Sequence, residues 1–155
     1  MKKRAFSLIE LVIVVVIIAI IGAIAIPRLS RGAAGAADSA LVSNLAAMRK
    51  AIDLYQAEHG GTFPVDTKIA LQLTQYTDNT GAYQATQDST HVYGPYLRAI
   101  PALPVGAKKG NTGIATADAA GIGWIYDAAT GNIRANTTDT SPVEADAKGT
   151  LYSSY

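Results

Sequence analysis

The feature that most constrains this chain is an apolar run near its amino end. Sixteen uncharged, almost wholly apolar residues extend from Leu11 to Ile26, and three basic residues occupy positions 2–4. As a helix, residues 6–26 are about 30 Å long, which is the thickness of the hydrocarbon core of a bilayer. The positive-inside bias places the basic end in the cytoplasm and everything after Pro27 outside. The run therefore predicts a single membrane-spanning helix.

A single carboxylate, Glu10, stands at the start of this run. A carboxylate in hydrocarbon is costly unless it is protonated, paired or close to the interface. Cleavage of the chain after Ala5 creates a new amino terminus at Phe6, whose ammonium group is a suitable partner for Glu10 on a neighbouring copy. Glu10 is therefore predicted to be an assembly residue.

Residues 4–10, with the sequence Arg-Ala-Phe-Ser-Leu-Ile-Glu, the apolar run and Ile26-Pro27 resemble the prepilin leader of type IV pilins and type II secretion pseudopilins. The resemblance implies removal of the leader by a prepilin peptidase after Ala5, methylation of the Phe6 amine, and packing of the helices into a filament core. The family usually has Gly before the cut. Because Ala is the next smallest residue, we expect cleavage here too, at a lower rate.

The resemblance also implies partners and a location. The expected partners are further copies of the chain in a helical filament, the prepilin peptidase, an inner-membrane assembly platform, and the membrane before assembly. The unassembled subunit is expected in the inner membrane as a single-pass protein with a cytoplasmic amino end, and the assembled filament in the periplasm or outside the cell. Without residues 2–4, ten basic side chains face twelve acidic ones, so no nucleic-acid partner is expected.

Two other interpretations apply to the same stretch. A secretory signal peptide has a basic start, an apolar centre and small residues before its cut, and Ala23-Ile24-Ala25 provides such a site. Pro27 just beyond that cut, and Glu10 near the start of the apolar centre, argue against it. The other alternative is a plain single-span anchor with an incidental Glu10. Because the chain has no cysteine, a lipoprotein anchor and disulfide bonds are excluded.

The predicted fold class is α+β, with a long amino-terminal α-helix packed on a small antiparallel β-sheet head, as in pilins. Gly22 and Pro27 are expected to bend the helix without ending it. The predicted boundaries are 1–5 for the leader, 6–28 for the transmembrane and assembly helix, 29–59 for the amphipathic half of the same helix, and 60–155 for the globular head with a carboxyl-terminal β-hairpin.

The amphipathic half is indicated by an apolar stripe at helical spacing, followed by Gly60-Gly61, which ends the helix. Polar residues, among them Asp38 and Arg49, mostly occupy the other sides. The stripe consists of Ala37, Leu41, Leu45, Met48, Ile52 and Tyr55.

Within the head, the strongest pattern is a β-hairpin. Residues 122–126 and 132–135 flank a turn that begins with Asp127 and ends with Gly131. Residues 106–121 are expected to form a surface loop, and residues 67–75 a short helix capped by Asp66 or Thr67. The tail from residue 137 onwards is expected to return as an edge strand or to stay irregular.

No catalytic motif accompanies the two histidines, so the protein is not expected to be an enzyme. His59 is expected to have a structural role at a helix end, and His91 lies near Asp88. No cofactor is expected, although the acidic carboxyl-terminal loops of type II secretion pseudopilins bind calcium. The candidate calcium ligands here are Asp139, Glu144 and Asp146, with solvated loop acids as the alternative.

The function that follows is that of a structural subunit of a type IV pilus or pilus-like filament. The first alternative is the major pseudopilin of a type II secretion system, which forms a periplasmic pseudopilus. The second is a monomeric, single-span anchored module whose head binds a ligand without assembly.

Overall fold

The computed structural model of the chain describes residues 7–137 and 143–155, without the side chains of residues 25–31. The predicted leader 1–5, the cleavage residues Ala5 and Phe6, and the candidate ligand Asp139 lie outside the described residues. The fold class is confirmed: the structure has a long amino-terminal helix, one further short helix and small β-sheets. The chain divides into two compact units, Met1–Ala36 and Ala37–Tyr155.

Helix α1 extends over Leu8–Glu58. Its assignment continues through Gly22 and Pro27, whereas the bend at those residues stays a prediction. Beyond the last turn, Gly60 and Gly61 have φ angles of +63° and +89°, which glycine adopts without the steric penalty of a side chain. The two glycines therefore stop the helix where the sequence predicts its end.

Among the described residues, no helix has both the length and the mean hydropathy that a membrane span requires. The predicted transmembrane half of α1 is therefore not confirmed.

The core of the second unit lies between the apolar stripe of α1 and a β-hairpin. Trp124, Tyr126 and Ile133 on the hairpin are at most 1% exposed. The indole N–H of Trp124 donates to the carbonyl oxygen of Pro101 at 2.8 Å, so the polar atom of this large side chain is satisfied inside the core. The predicted stripe is confirmed, because five of its members are buried: Leu41, Leu45, Met48, Ile52 and Tyr55.

The head contains a two-stranded and a three-stranded sheet. In the first, β1 (Tyr76–Thr77) pairs antiparallel with β2 (Tyr83–Gln84). In the second, β4 (Ile122–Asp127) lies between β3 (Gly113–Ala115) and β5 (Asn132–Ala135). The pair β4–β5 is antiparallel and is the predicted hairpin, whereas β3 runs parallel to β4. The prediction of a loop over residues 106–121 is wrong at β3, and this sheet is mixed.

The hairpin turn is held by its first residue. Asp127 accepts hydrogen bonds from the Ala129 backbone N–H at 2.9 Å and from the Thr130 hydroxyl at 2.8 Å. Gly131 closes the turn at a φ of +71°, and a Cβ there would lie 2.3 Å from the Phe63 ring. Only glycine therefore fits this position without displacing a core neighbour.

Helix α2 (Ile69–Thr74) is shorter than the predicted span of residues 67–75. Its N-cap is Lys68, without a side-chain cap, so the prediction that Asp66 or Thr67 caps it is wrong. The Asp66 carboxylate instead accepts the backbone N–H of Thr67 at 2.7 Å. That bond to the adjacent residue lies before the helix and therefore does not cap it.

Candidate assembly site at the amino-terminal helix

The start of α1 is fixed by a local hydrogen bond between Ser7 and Glu10. The backbone N–H of Ser7 donates to Oε2 of Glu10 at 2.9 Å, and the Ser7 carbonyl oxygen accepts the N–H of Leu11 at 3.2 Å. Ser7 is thus the N-cap, and Glu10 is the third residue of the helix. A Ser followed three positions later by Glu is the capping-box sequence, in which the Glu side chain reaches back to the N-cap N–H.

Glu10 therefore has an intrachain partner in addition to the intermolecular one that the sequence predicts. The bond to Ser7 occupies one carboxylate oxygen, Oε2, and a carboxylate accepts hydrogen bonds through both of its oxygens. The sequence analysis missed this partner, although the spacing of Ser7 and Glu10 signals it. The predicted pairing with Phe6 of a neighbouring copy involves a residue outside the described part of the chain, and it stays a prediction.

The other feature of this site is an apolar surface, which the described residues of the first unit leave exposed. Each large apolar side chain between Leu8 and Ile24 is exposed, from 47% at Val14 to 81% at Leu8. A helix that is apolar on all sides is stable only where water is excluded, either among other protein segments or in lipid. Gly22 adds no side chain to this surface, and an added Cβ there would meet no atom within 4 Å. Such small positions allow close approach of another helix.

Residues 1–26 match the family model described as the prokaryotic N-terminal methylation motif. The amino-terminal segment is a methylation motif. It is the signature of type IV pilin and pseudopilin precursors, so the resemblance seen in the sequence is confirmed for this segment. The methylation motif contains Ala5, Phe6 and Glu10, the three residues predicted to be cut, modified and paired. Comparisons with curated proteins and with solved structures gave no match to this chain.

The two described calcium candidates both form hydrogen bonds within the protein. Glu144 accepts the backbone N–H of Ala107 through Oε1. Asp146 accepts the backbone N–H groups of Lys148 and Thr150 at 2.8 Å through Oδ1, and the Tyr155 hydroxyl at 2.5 Å through Oδ2. Within residues 7–137 and 143–155, no group of three or more acidic or histidine side chains is arranged to hold a metal ion. The calcium site stays a prediction.

Both histidines make local contacts. His59 is 7% exposed, its Nδ1 lies 2.8 Å from the Tyr55 carbonyl oxygen, and its ring stacks on Tyr55 at 3.8 Å. His91 Nδ1 lies 3.0 Å from Asp88 Oδ1. Hydrogen bonds from the backbone of His91 and Thr90 hold the pKa of Asp88 well below its usual range. Asp88 therefore accepts hydrogen bonds that shape its own loop, as the aspartate of an Asx turn does.

Proposed function

We propose that this protein is the structural subunit of a type IV pilus or pilus-like filament. One observation supports the proposal above the others: within the methylation motif, every large apolar side chain described between Leu8 and Ile24 is exposed in the isolated chain. Such a surface needs a partner that excludes water. Before assembly the partner is the inner membrane, and after assembly it is the same helix of neighbouring copies.

Cleavage after Ala5 prepares the subunit for assembly. It removes the basic residues at positions 2–4 and frees the amino group of Phe6, which a separate step then methylates. The chain carries no cysteine, so contacts between copies must come from packing, hydrogen bonds and charge pairs. Transfer from lipid to a helix bundle gains little from the hydrophobic effect, because both surroundings are apolar. A charge pair at the start of the helix therefore selects the position of each new subunit.

Glu10 is the residue that makes this pair. Its Oε2 holds the first turn of its own helix through Ser7, and its remaining oxygen accepts the Phe6 ammonium of the neighbouring copy. In a low-dielectric interior, a carboxylate that meets an ammonium group is far less costly than one left alone. Glu10 thus serves its own helix and the contact between copies at the same time.

Two substitutions separate these roles. Glu10→Gln keeps an oxygen that can cap Ser7, because Gln also serves in the capping box, but it lacks the charge. Glu10→Leu lacks both. If the charge pair directs assembly, both variants remain in the membrane and give at least tenfold fewer sheared filaments, the factor that corresponds to about 1.4 kcal/mol per contact. Wild-type filament levels with Glu10→Gln contradict the pairing, and wild-type levels with both variants remove any role of Glu10 in assembly.

Processing is tested by the intact mass and the amino-terminal sequence of the protein from membranes. The proposal expects a chain that begins at Phe6 and carries one added methyl group. A chain that begins at Met1 or at Ile26 contradicts it, because the Phe6 ammonium group then does not exist. Replacing Ala5 with a bulky residue is expected to leave the mass unshifted.

The kind of filament is decided by where it is found. Surface filaments in the sheared supernatant support a type IV pilus. Loss of a secreted enzyme on deletion of the gene, with no surface fibre, supports the pseudopilus of a type II secretion system. Crosslinking in intact cells that yields only monomers supports the anchored binding module instead.

A further inference from the structure

The carboxyl-terminal segment, residues 143–155, is folded on itself. An isolated bridge joins Ala145 to Leu151, and a 3-10 turn follows at Tyr152–Ser154. Four backbone hydrogen bonds of 2.9–3.1 Å lie within the segment: Asp146 to Thr150, Gly149 to Asp146, Tyr152 to Glu144, and Ser154 to Leu151. The segment therefore holds its shape through contacts of its own.

Side chains attach this segment to α1. The Tyr152 hydroxyl donates to Asp38 Oδ1 at 2.8 Å. Arg49 donates to the carbonyl oxygen of Ile133 on β5 at 3.1 Å and also to the backbone oxygen of Tyr155. Asp38 and Arg49 are three helical turns apart on α1 and so lie on the same face. The segment is thus fastened to one face of the helix at two points about 16 Å apart.

The two tyrosine rings give the attachment an apolar part. Tyr152 and Tyr155 are partly buried and pack against the core cluster. Both hydroxyls donate to carboxylates, Tyr152 to Asp38 and Tyr155 to Asp146. Hydrogen bonds to ionised acceptors are stronger than neutral ones. Each tyrosine therefore combines a packed ring with a hydrogen bond that only its hydroxyl can make.

A third attachment joins the segment to the loop before β3. Glu144 accepts the backbone N–H of Ala107, and a Cβ at Gly106 would lie 2.9 Å from Oε2 of Glu144. The loop thus approaches the carboxylate closely because position 106 has no side chain. This attachment also runs through a side chain of the segment.

We propose that residues 143–155 form a clasp that opens and closes on α1 as one unit, with Arg49 and Tyr152 as its locks. The clasp keeps its own backbone hydrogen bonds when it opens, and its release breaks none of the bonds that join β4 to β5. This inference does not depend on the proposed function.

Hydrogen–deuterium exchange of the full-length protein in detergent tests the clasp. Tyr152→Phe removes one oxygen and retains the ring. Arg49→Gln removes the guanidinium that donates to the backbone oxygens of Ile133 and Tyr155. Both variants are expected to speed exchange of the amides within residues 144–154 by roughly fivefold. With Tyr152→Phe, whose lost bond is to Asp38 on α1, the amides of β4 and β5 are expected to keep their wild-type rates. Tyr83→Phe is the matched control, because it also removes one tyrosine hydroxyl but lies on β2, outside residues 143–155.

Equal acceleration in the clasp and in the hairpin with Tyr152→Phe overturns the proposal, because the segment then opens only with the whole head. Unchanged exchange within residues 144–154 in both variants overturns it as well, because the two side chains then fasten nothing. If Arg49→Gln does not fold, Tyr152→Phe decides alone, since it leaves the volume of the core unchanged.

Discussion

Leu11 and Leu45 lie on the same helix, yet 60% of Leu11 is exposed whereas Leu45 is 1% exposed. The contrast extends to the units to which they belong. Large apolar side chains described in the first unit are all exposed, and those of the stripe in the second unit are buried against the hairpin. Among the described residues, one helix therefore has two kinds of apolar surface, an exposed one in the first unit and a buried one in the second.

This difference separates folding from assembly. The head closes its core with residues of one subunit, so substitutions there change the free energy of unfolding of that subunit. The first unit has an exposed apolar surface. If this surface meets an external partner as proposed, substitutions there change association while the head stays folded. The following experiments test whether the two parts of α1 are as independent as this comparison implies.

The largest effect is expected from a matched pair of leucine truncations. Leu45→Ala leaves a cavity in the core and is expected to lower the free energy of unfolding of the head by about 2–5 kcal/mol. Leu11→Ala removes the same atoms from an exposed position and is expected to change it by less than about 0.5 kcal/mol. Urea unfolding followed by near-ultraviolet circular dichroism of the full-length protein in detergent measures both. Equal losses of unfolding free energy in the two variants would contradict the distinction between the exposed and the buried part of α1.

A smaller effect is expected from a matched pair of glycine substitutions. Gly131→Ala places a Cβ at a φ of +71° and against Phe63, so we expect a loss of roughly 1–3 kcal/mol from the head. Gly32→Ala places a Cβ in open space on a helix, where Ala is favoured by about 1 kcal/mol over Gly. The thermal midpoint of the head is expected to fall with the first variant and to stay unchanged with the second. A lower thermal midpoint with Gly32→Ala would show that the stability of the head depends on the first unit.

The smallest effect concerns acid. Hydrogen bonds from Thr130 and Ala129 lower the pKa of Asp127. A carboxyl group with a lowered folded pKa stabilises the head fully above its unfolded pKa of about 3.9, and this contribution is lost as the pH falls through the folded pKa. We therefore expect the urea concentration at the unfolding midpoint to decrease as the pH is lowered below about 4. The pKa is lowered in the same way at Asp78, Asp88 and Asp146, which also lie in the head.

Asp127→Asn tests this acid dependence, because Asn keeps an oxygen for the turn but has no charge to lose. The variant is expected to lose less of its urea midpoint than the wild type between about pH 5 and pH 2. Asp53→Asn, on an exposed turn of α1, is the control and is expected to follow the wild type. An unchanged slope for Asp127→Asn would contradict the assignment.

The parts of this fold that depend on local sequence were predictable. The stripe from Leu41 to Tyr55 follows the helical period, and the hairpin follows from the turn between Asp127 and Gly131. The methylation motif is a contiguous segment, so its residues are recognisable without a structure. In each case the signal lies within a few neighbouring residues.

The parts that depend on distant contacts were not predictable. Gly113–Ala115 has no strand pattern of its own, and it becomes a strand because β4 offers it a parallel partner. The sequence places Asp38 and Arg49 on the polar sides of the helix, yet both make hydrogen bonds with residues 143–155, through partners more than one hundred positions away. Such pairings depend on the tertiary fold, and the hydrophobic periodicity of the sequence does not predict them.

Trp124 is the chain's single tryptophan. Its indole is buried in the core, and the indole N–H donates to the Pro101 carbonyl oxygen. Its fluorescence is therefore an intrinsic reporter of the head alone: the emission stays blue-shifted while the core is intact and moves to the red when water reaches the ring. The apolar helix of the first unit contributes no indole signal, so the same optical readout works for single subunits in micelles and for polymers.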